Sequence, residues 1–136
     1  MPRREEYSNA TAFVSDNASP GFTFGKSGNV PSNTWLLNDT VPSNKSGRAI
    51  YLYNPSLEAV YIRVEIAATF DIEIYEHDGT TYTLKHTINV VASRALDTIL
   101  TSPVTLTQGK ELAVKITNGS AKNPVVGCQL RGTMTA

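Results

Sequence analysis

At 136 residues, 40% hydrophobic and 18% charged, the chain has the size and composition of one globular domain with a single core. Twelve basic residues balance twelve acidic ones, so no long-range field draws it toward nucleic acid or an anionic membrane. Its apolar runs are too short to span a bilayer, and Cys128, the lone cysteine, excludes an internal disulfide.

Residues 1–20 are polar, lack sustained periodicity and close on Ser19-Pro20-Gly21. They read as an N-terminal arm ahead of a β domain over residues 21–136, either disordered or laid along a neighbour. The start lacks the apolar stretch of a secretory signal, which places synthesis and folding in the cytosol. From Gly21 to Asn44, Phe22, Phe24 and Trp35-Leu36-Leu37 stand among Gly, Ser, Asn and Pro. That mixture predicts an irregular stretch with one or two short edge strands. Ala49–Tyr53 predicts a strand, and Asn54-Pro55-Ser56 the turn that ends it.

Val60 to Val90 carries the strongest signal. Val60, Ile62, Val64, Ile66, Phe70, Ile72 and Ile74 alternate with Tyr61, Arg63, Glu65, Asp71, Glu73 and Tyr75, the period of a strand with one buried face. His77-Asp78-Gly79 interrupts it as a turn. A two-residue Asp78-Gly79 turn would set Ile74 opposite Thr83 and Ile72 opposite Lys85, placing apolar against polar on one face. A three-residue loop with Gly79 in the left-handed region instead pairs Ile74 with Tyr82, Ile72 with Leu84 and, outside, Asp71 with Lys85. The second arrangement agrees with the phase and is preferred.

Ile88, Val91, Ala92, Ala95, Leu96 and Ile99 fall at helical spacing, yet Thr87, Ile88, Val90 and Val91 are β-branched. A strand to Val91, a turn at Ala92-Ser93-Arg94 and a strand to Leu100 are preferred to a short helix. Ser102-Pro103 breaks the chain and Gln108-Gly109-Lys110 turns it. Leu112, Val114 and Ile116 mark a strand ending at Asn118-Gly119-Ser120, and the last strand runs from Val125 to about Met134. About seven to nine strands at roughly 8–12-residue spacing predict an all-β fold. The expected architecture is a two-sheet antiparallel sandwich, jelly-roll-like, with an immunoglobulin-like sandwich as the alternative.

Few residues suggest chemistry. Gly25-Lys26-Ser27 resembles the end of a phosphate loop, but Pro20 stands where its first glycine belongs. His77 is read as a turn residue and His86 as a partly buried structural one. Glu65, Asp71, Glu73, Glu76 and Asp78 could serve a glycosidase or hold calcium, but their alternation with core residues describes a solvated strand face. Two histidines and one cysteine do not make a zinc site. Cys128 shares the apolar phase of Val126, Leu130 and Met134 and reads as a buried small hydrophobe. The Asn-X-Ser/Thr triplets at Asn9, Asn17, Asn38, Asn44 and Asn118 are loop chemistry without secretion. Tyr51, Tyr53, Tyr61 and Tyr75 lie on outer phases, where tyrosine suits sugar stacking or subunit contacts. The expectation is no catalytic, cofactor-binding or metal-binding residue and no cofactor.

N-T-W-L-L-N-D-T-V-P-S-N at Asn33–Asn44, T-F-D-I-E-I-Y-E-H-D-G-T-T-Y at Thr69–Tyr82, and Q-G-K-E-L-A-V-K-I-T-N-G-S-A-K-N-P-V-V-G at Gln108–Gly127 resemble small virion proteins of tailed bacteriophages and prophages. The resemblance covers about Gly21 to Gly132. It implies a non-enzymatic β-sandwich of the virion, made in the host cytoplasm, that decorates or cements a capsid. Its implied partners are the major capsid protein or another virion protein, and further copies of itself, with no nucleic acid and no membrane insertion. A globular module of a head or tail fibre, or an adhesin module binding a cell-surface glycan, is the alternative. A small hydrolase is the remaining class.

Overall fold

The computed structural model describes residues 17–135, so the expected arm lies, through residue 16, outside the described residues. Twelve strands follow in this part of the chain: β1 (Asn17–Ala18), β2 (Gly21–Gly25), β3 (Asn29–Val30), β4 (Thr34–Trp35), β5 (Leu37–Asn38), β6 (Val41–Pro42), β7 (Arg48–Ala49), β8 (Tyr53–His77), β9 (Tyr82–Thr105), β10 (Glu111–Thr117), β11 (Ala121–Lys122) and β12 (Val125–Thr133). No helix occurs among the described residues.

The strand pairs nest. Asn17 faces Thr133, Phe22 faces Cys128, Val30 faces Ala121, Thr34 faces Ile116, Arg48 faces Leu112 and Ile72 faces Ile88, all antiparallel. The chain is one long hairpin whose tip is Asp78–Thr81, rolled up until β8 also lies beside β10 and β12. Rolling turns a ribbon with two wet faces into two sheets around one core, the expected jelly-roll-like sandwich.

β8 belongs to both sheets. Its first part, to Arg63, runs between β12 and the second part of β9. Its last part, from Asp71, runs between β10 and the first part of β9. Between them the β8–β9 register slips from the Arg63–Ala95 pair to the Ala68–Ser93 and Phe70–Val90 pairs. There Ala92 takes φ +46° and its N–H donates to Thr69 Oγ1 at 3.0 Å. Such irregularities let a strand bend from one sheet into the other. The core between the sheets buries Phe22, Phe24, Leu57, Val60, Ile62, Phe70, Ile72, Ile74, Val114, Ile116, Val126, Cys128 and Leu130. Burial pushes the Cys128 thiol up to about 12, which leaves it inert as expected.

Several expectations are corrected. The hairpin loop has four residues, not three. Asp78 Oδ1 accepts the N–H groups of Thr80 and Thr81 at 2.9 and 2.8 Å, which holds the longer turn closed. Gly79 does take a left-handed φ of +93°. Lys85 is an extra residue, so Tyr75 faces Leu84 while Ile74 faces His86, Ile72 faces Ile88 and Asp71 faces Asn89. Tyr82 and Leu84, expected inward, are therefore exposed. Ile66 is 57% exposed, because it lies in the sheet-changing bend where the alternation fails.

Asn54-Pro55-Ser56 does not end a strand but lies inside β8, at an irregularity between the Tyr53–Thr133 and Ser56–Arg131 pairs where no ladder bond needs the missing proline N–H. Ala92-Ser93-Arg94 bends β9 without reversing it. Pro103 falls in a further irregular stretch, between the Ala59–Ile99 and Leu57–Val104 pairs, so β9 continues to Thr105. Gly21–Asn44 holds five short strands, β2 to β6, in place of one or two. Met134 is exposed, beyond the last paired residue of β12. Residues 17–20 attach to β12: Ser19 Oγ donates to Leu130 O at 2.9 Å, and Leu130 N–H donates to Pro20 O at 2.9 Å.

Candidate functional site

Two surfaces stand out, one aromatic and one a bare strand edge. The aromatic one lies on the outer face of the sheet formed by β4, β10 and the end of β8, where register sets Trp35 beside Lys115 and Lys115 beside Glu73. The Trp35 ring lies 5.0 Å from Tyr75 and 5.7 Å from Tyr82, both tilted, with Lys115 Nζ 5.3 Å above it. Tyr75 donates its hydroxyl to Glu73 Oε1 at 2.6 Å. Burial, reinforced by that carboxylate, pushes its phenol up to about 12. Tyr82 donates to Asn44 O at 2.7 Å.

Beneath the aromatics sits His77, fully buried and not the turn residue expected. Its ring stacks on Tyr82 at 4.8 Å. Nδ1 accepts the Gly79 N–H at 3.0 Å, which fixes the tautomer, so Nε2–H donates to Ser43 O at 2.9 Å. Ser43 Oγ in turn accepts the Val114 N–H at 3.1 Å, and Glu111 Oε1 accepts the Gly47 N–H at 2.8 Å. The cluster clamps the hairpin tip to β4 and to the β6–β7 connection. Its hydroxyls and imidazole nitrogens all have partners within the chain, which suits mechanical fixing better than proton transfer.

The acidic set is dispersed in the same way. Glu76 is buried, not on the solvated face expected, because its even position points inward. It accepts the Thr107 N–H at 2.9 Å and the Thr107 hydroxyl at 2.8 Å, tying the β9–β10 loop to β8. Asp71 accepts Asn89 and Asn118 amides, each at 2.7 Å, and Glu65 lies 3.5 Å from Lys122. Among the described residues, no three His, Cys, Asp or Glu side chains gather as metal ligands. His86 is half-buried, as read from the sequence, and lies opposite Ile74, in place of the expected Tyr82. The tyrosines do not form one patch: Tyr75 and Tyr82 join Trp35, whereas Tyr61 lies over Gly127 on the other sheet.

The second surface is β9 itself. Among the described residues it pairs with β8 alone, so one edge of a 24-residue strand is open. Leu84 is 48%, Val91 69% and Ile99 76% exposed. Leu96, Leu100 and Val104 pack on the core yet stay half-buried. Sequence reasoning missed this edge because strand neighbours are set by the rolling of the ribbon, which periodicity does not encode.

No family of known proteins matches the chain, and no curated protein does. Among solved structures, a chain from the T13 IBDV viral particle is similar, with a TM-score of 0.33 and 13% identity. The likeness covers 87% of this chain and 37% of that one.

Proposed function

We propose that this protein is a non-enzymatic structural component of a tailed-phage or prophage virion, a decoration or cement protein that docks on the capsid through its β domain. The sequence resemblance supplies the class of particle. The observation that carries docking is the bend of the β8–β9 ribbon, which presents one apolar side chain from each arm, Ile66 and Val91, 57% and 69% exposed, where the strands pass from one sheet to the other. Apolar side chains gathered on a surface mark sites where another protein removes them from water. Residues 1–16 precede β1 at the far side of β12 from β8 and contribute a second contact to the particle.

The test is co-sedimentation with particles assembled without the protein. The full chain co-sediments, an Ile66→Asp/Val91→Asp variant is retained at least about tenfold less, and deletion of residues 2–16 weakens retention without moving the unfolding transition. Absence of binding by the full chain overturns the capsid reading. Binding to a glycan array in that case would assign the domain to a fibre or adhesin.

A further inference from the structure

We propose that the β9 edge from Leu96 to Leu100 docks a second copy of this chain, the two strands pairing antiparallel about a two-fold axis at Thr98. The inference goes beyond the virion reading and holds for the free protein, through a different surface from the Ile66–Val91 bend.

The edge is open in backbone, in side chains and in charge. Its outward N–H and C=O groups face no strand among the described residues. Monomeric proteins blunt such edges with short strands or free charges. Here the strand is long, and from Ala95 to Thr105 its one charged residue is Asp97. That carboxylate is paired with Arg63 of its own chain, Nη1 to Oδ1 at 2.6 Å and Nη2 to Oδ2 at 3.1 Å, so a single, partly offset charge is all that guards the edge. Leu96 and Leu100, on the core side, are only half-buried, so both keep apolar surface open to solvent beside this edge. With twelve charges of each sign, two copies approach without long-range repulsion.

The side chains select the register. A continuous sheet with both cores on one side requires a residue on the axis, since a one-residue slip exchanges the faces. Asp97 on the axis would oppose carboxylate to carboxylate. Ile99 on the axis would oppose Leu96 to Ser102, apolar to polar, over the core. Thr98 on the axis pairs threonine with threonine and Leu96 with Leu100 of the second copy, and sets Asp97 against Ile99, with no like-charge pair. The bend at Ala92, φ +46°, and Pro103, which has no N–H to donate, bound the pairing on either side.

Sedimentation equilibrium of the full chain across a concentration series tests this, with two variants at exposed Ile99 that remove the same side chain. Ile99→Asp opposes two carboxylate pairs across the axis and weakens the dimer about tenfold or more, whereas Ile99→Lys opposes lysine to Asp97 and keeps it. Circular dichroism confirms that both variants fold. A full chain that stays monomeric at every concentration, a trimer, or equal loss in both variants overturns the proposal.

Discussion

β8 and β9 are the two arms of one ribbon and nearly equal in length, yet they behave differently. β8 is flanked on both sides, by β9 and by β12 or β10, and buries Val60, Ile62, Phe70, Ile72 and Ile74. Among the described residues β9 has β8 on one side only, and its sole fully buried residues are Ile88 and Val90. The apolar content of the two arms is similar. Burial follows the number of neighbours a strand has, and alternation reports burial only where those neighbours exist.

Deleting equivalent side chains on the two arms should give very different losses. Phe70→Ala should cost about 3–5 kcal/mol and Ile72→Ala about 2–5 kcal/mol, with Ile99→Ala in the monomer within about 0.5 kcal/mol. Urea denaturation measures all three, and equal losses on both arms would mean that β9 is covered. Next is Gly119, at φ +150°, where an added Cβ would meet the Thr69 carbonyl oxygen and Phe70 in the part of β8 that changes sheets. Gly119→Ala should cost about 2–4 kcal/mol, against about 1 kcal/mol for Gly79→Ala, whose left-handed φ faces open space. A smaller effect at Gly119 than at Gly79 would show that the crossover is not tightly packed.

Glu76→Ala leaves the Thr107 N–H without its acceptor and should cost about 1–3 kcal/mol by thermal unfolding. A neutral result would mean that the Glu76–Thr107 contacts do not hold the β9–β10 loop to β8. The smallest effect concerns pH. Backbone N–H groups of Thr81 and Thr80 hold Asp78 below the usual carboxylate range, and the Arg63 hydrogen bond does the same for Asp97. A lowered native pKa stabilises the fold above the unfolded value and is lost as pH falls through the native one. Both groups are surface-exposed, so the loss on acidification below the ordinary carboxylate range is shallow. Carbon-detected NMR titration should place both midpoints below those of other exposed carboxylates, and unshifted midpoints would refute the contacts.

Much of the fold was written locally. The strict alternation through Phe70, Ile72 and Ile74, the positive φ at Gly79, the turns at Gln108-Gly109-Lys110 and Asn118-Gly119-Ser120, and the burial of Cys128 all follow from neighbouring residues, because steric and hydrogen-bond preferences act within a few positions. The misreadings are instructive in the same terms. Asn54-Pro55-Ser56 and Ser102-Pro103 have turn chemistry, yet the ladder absorbs both at irregularities. His77 belongs by sequence to a turn, yet Ser43, more than thirty residues away, makes it a buried post.

Sequence alone therefore determined that this chain is an antiparallel β protein with one core, and that Val60, Ile62, Val64, Phe70, Ile72 and Ile74 of β8 face that core, since period-two burial is a property of the strand itself. Tertiary structure alone decided that the hairpin rolls, that β8 serves two sheets, that Trp35 meets Tyr75 and Tyr82, and that β9 has no second neighbour among the described strands. Those outcomes depend on contacts between residues far apart in the chain, whose register is set by the rolled core as a whole.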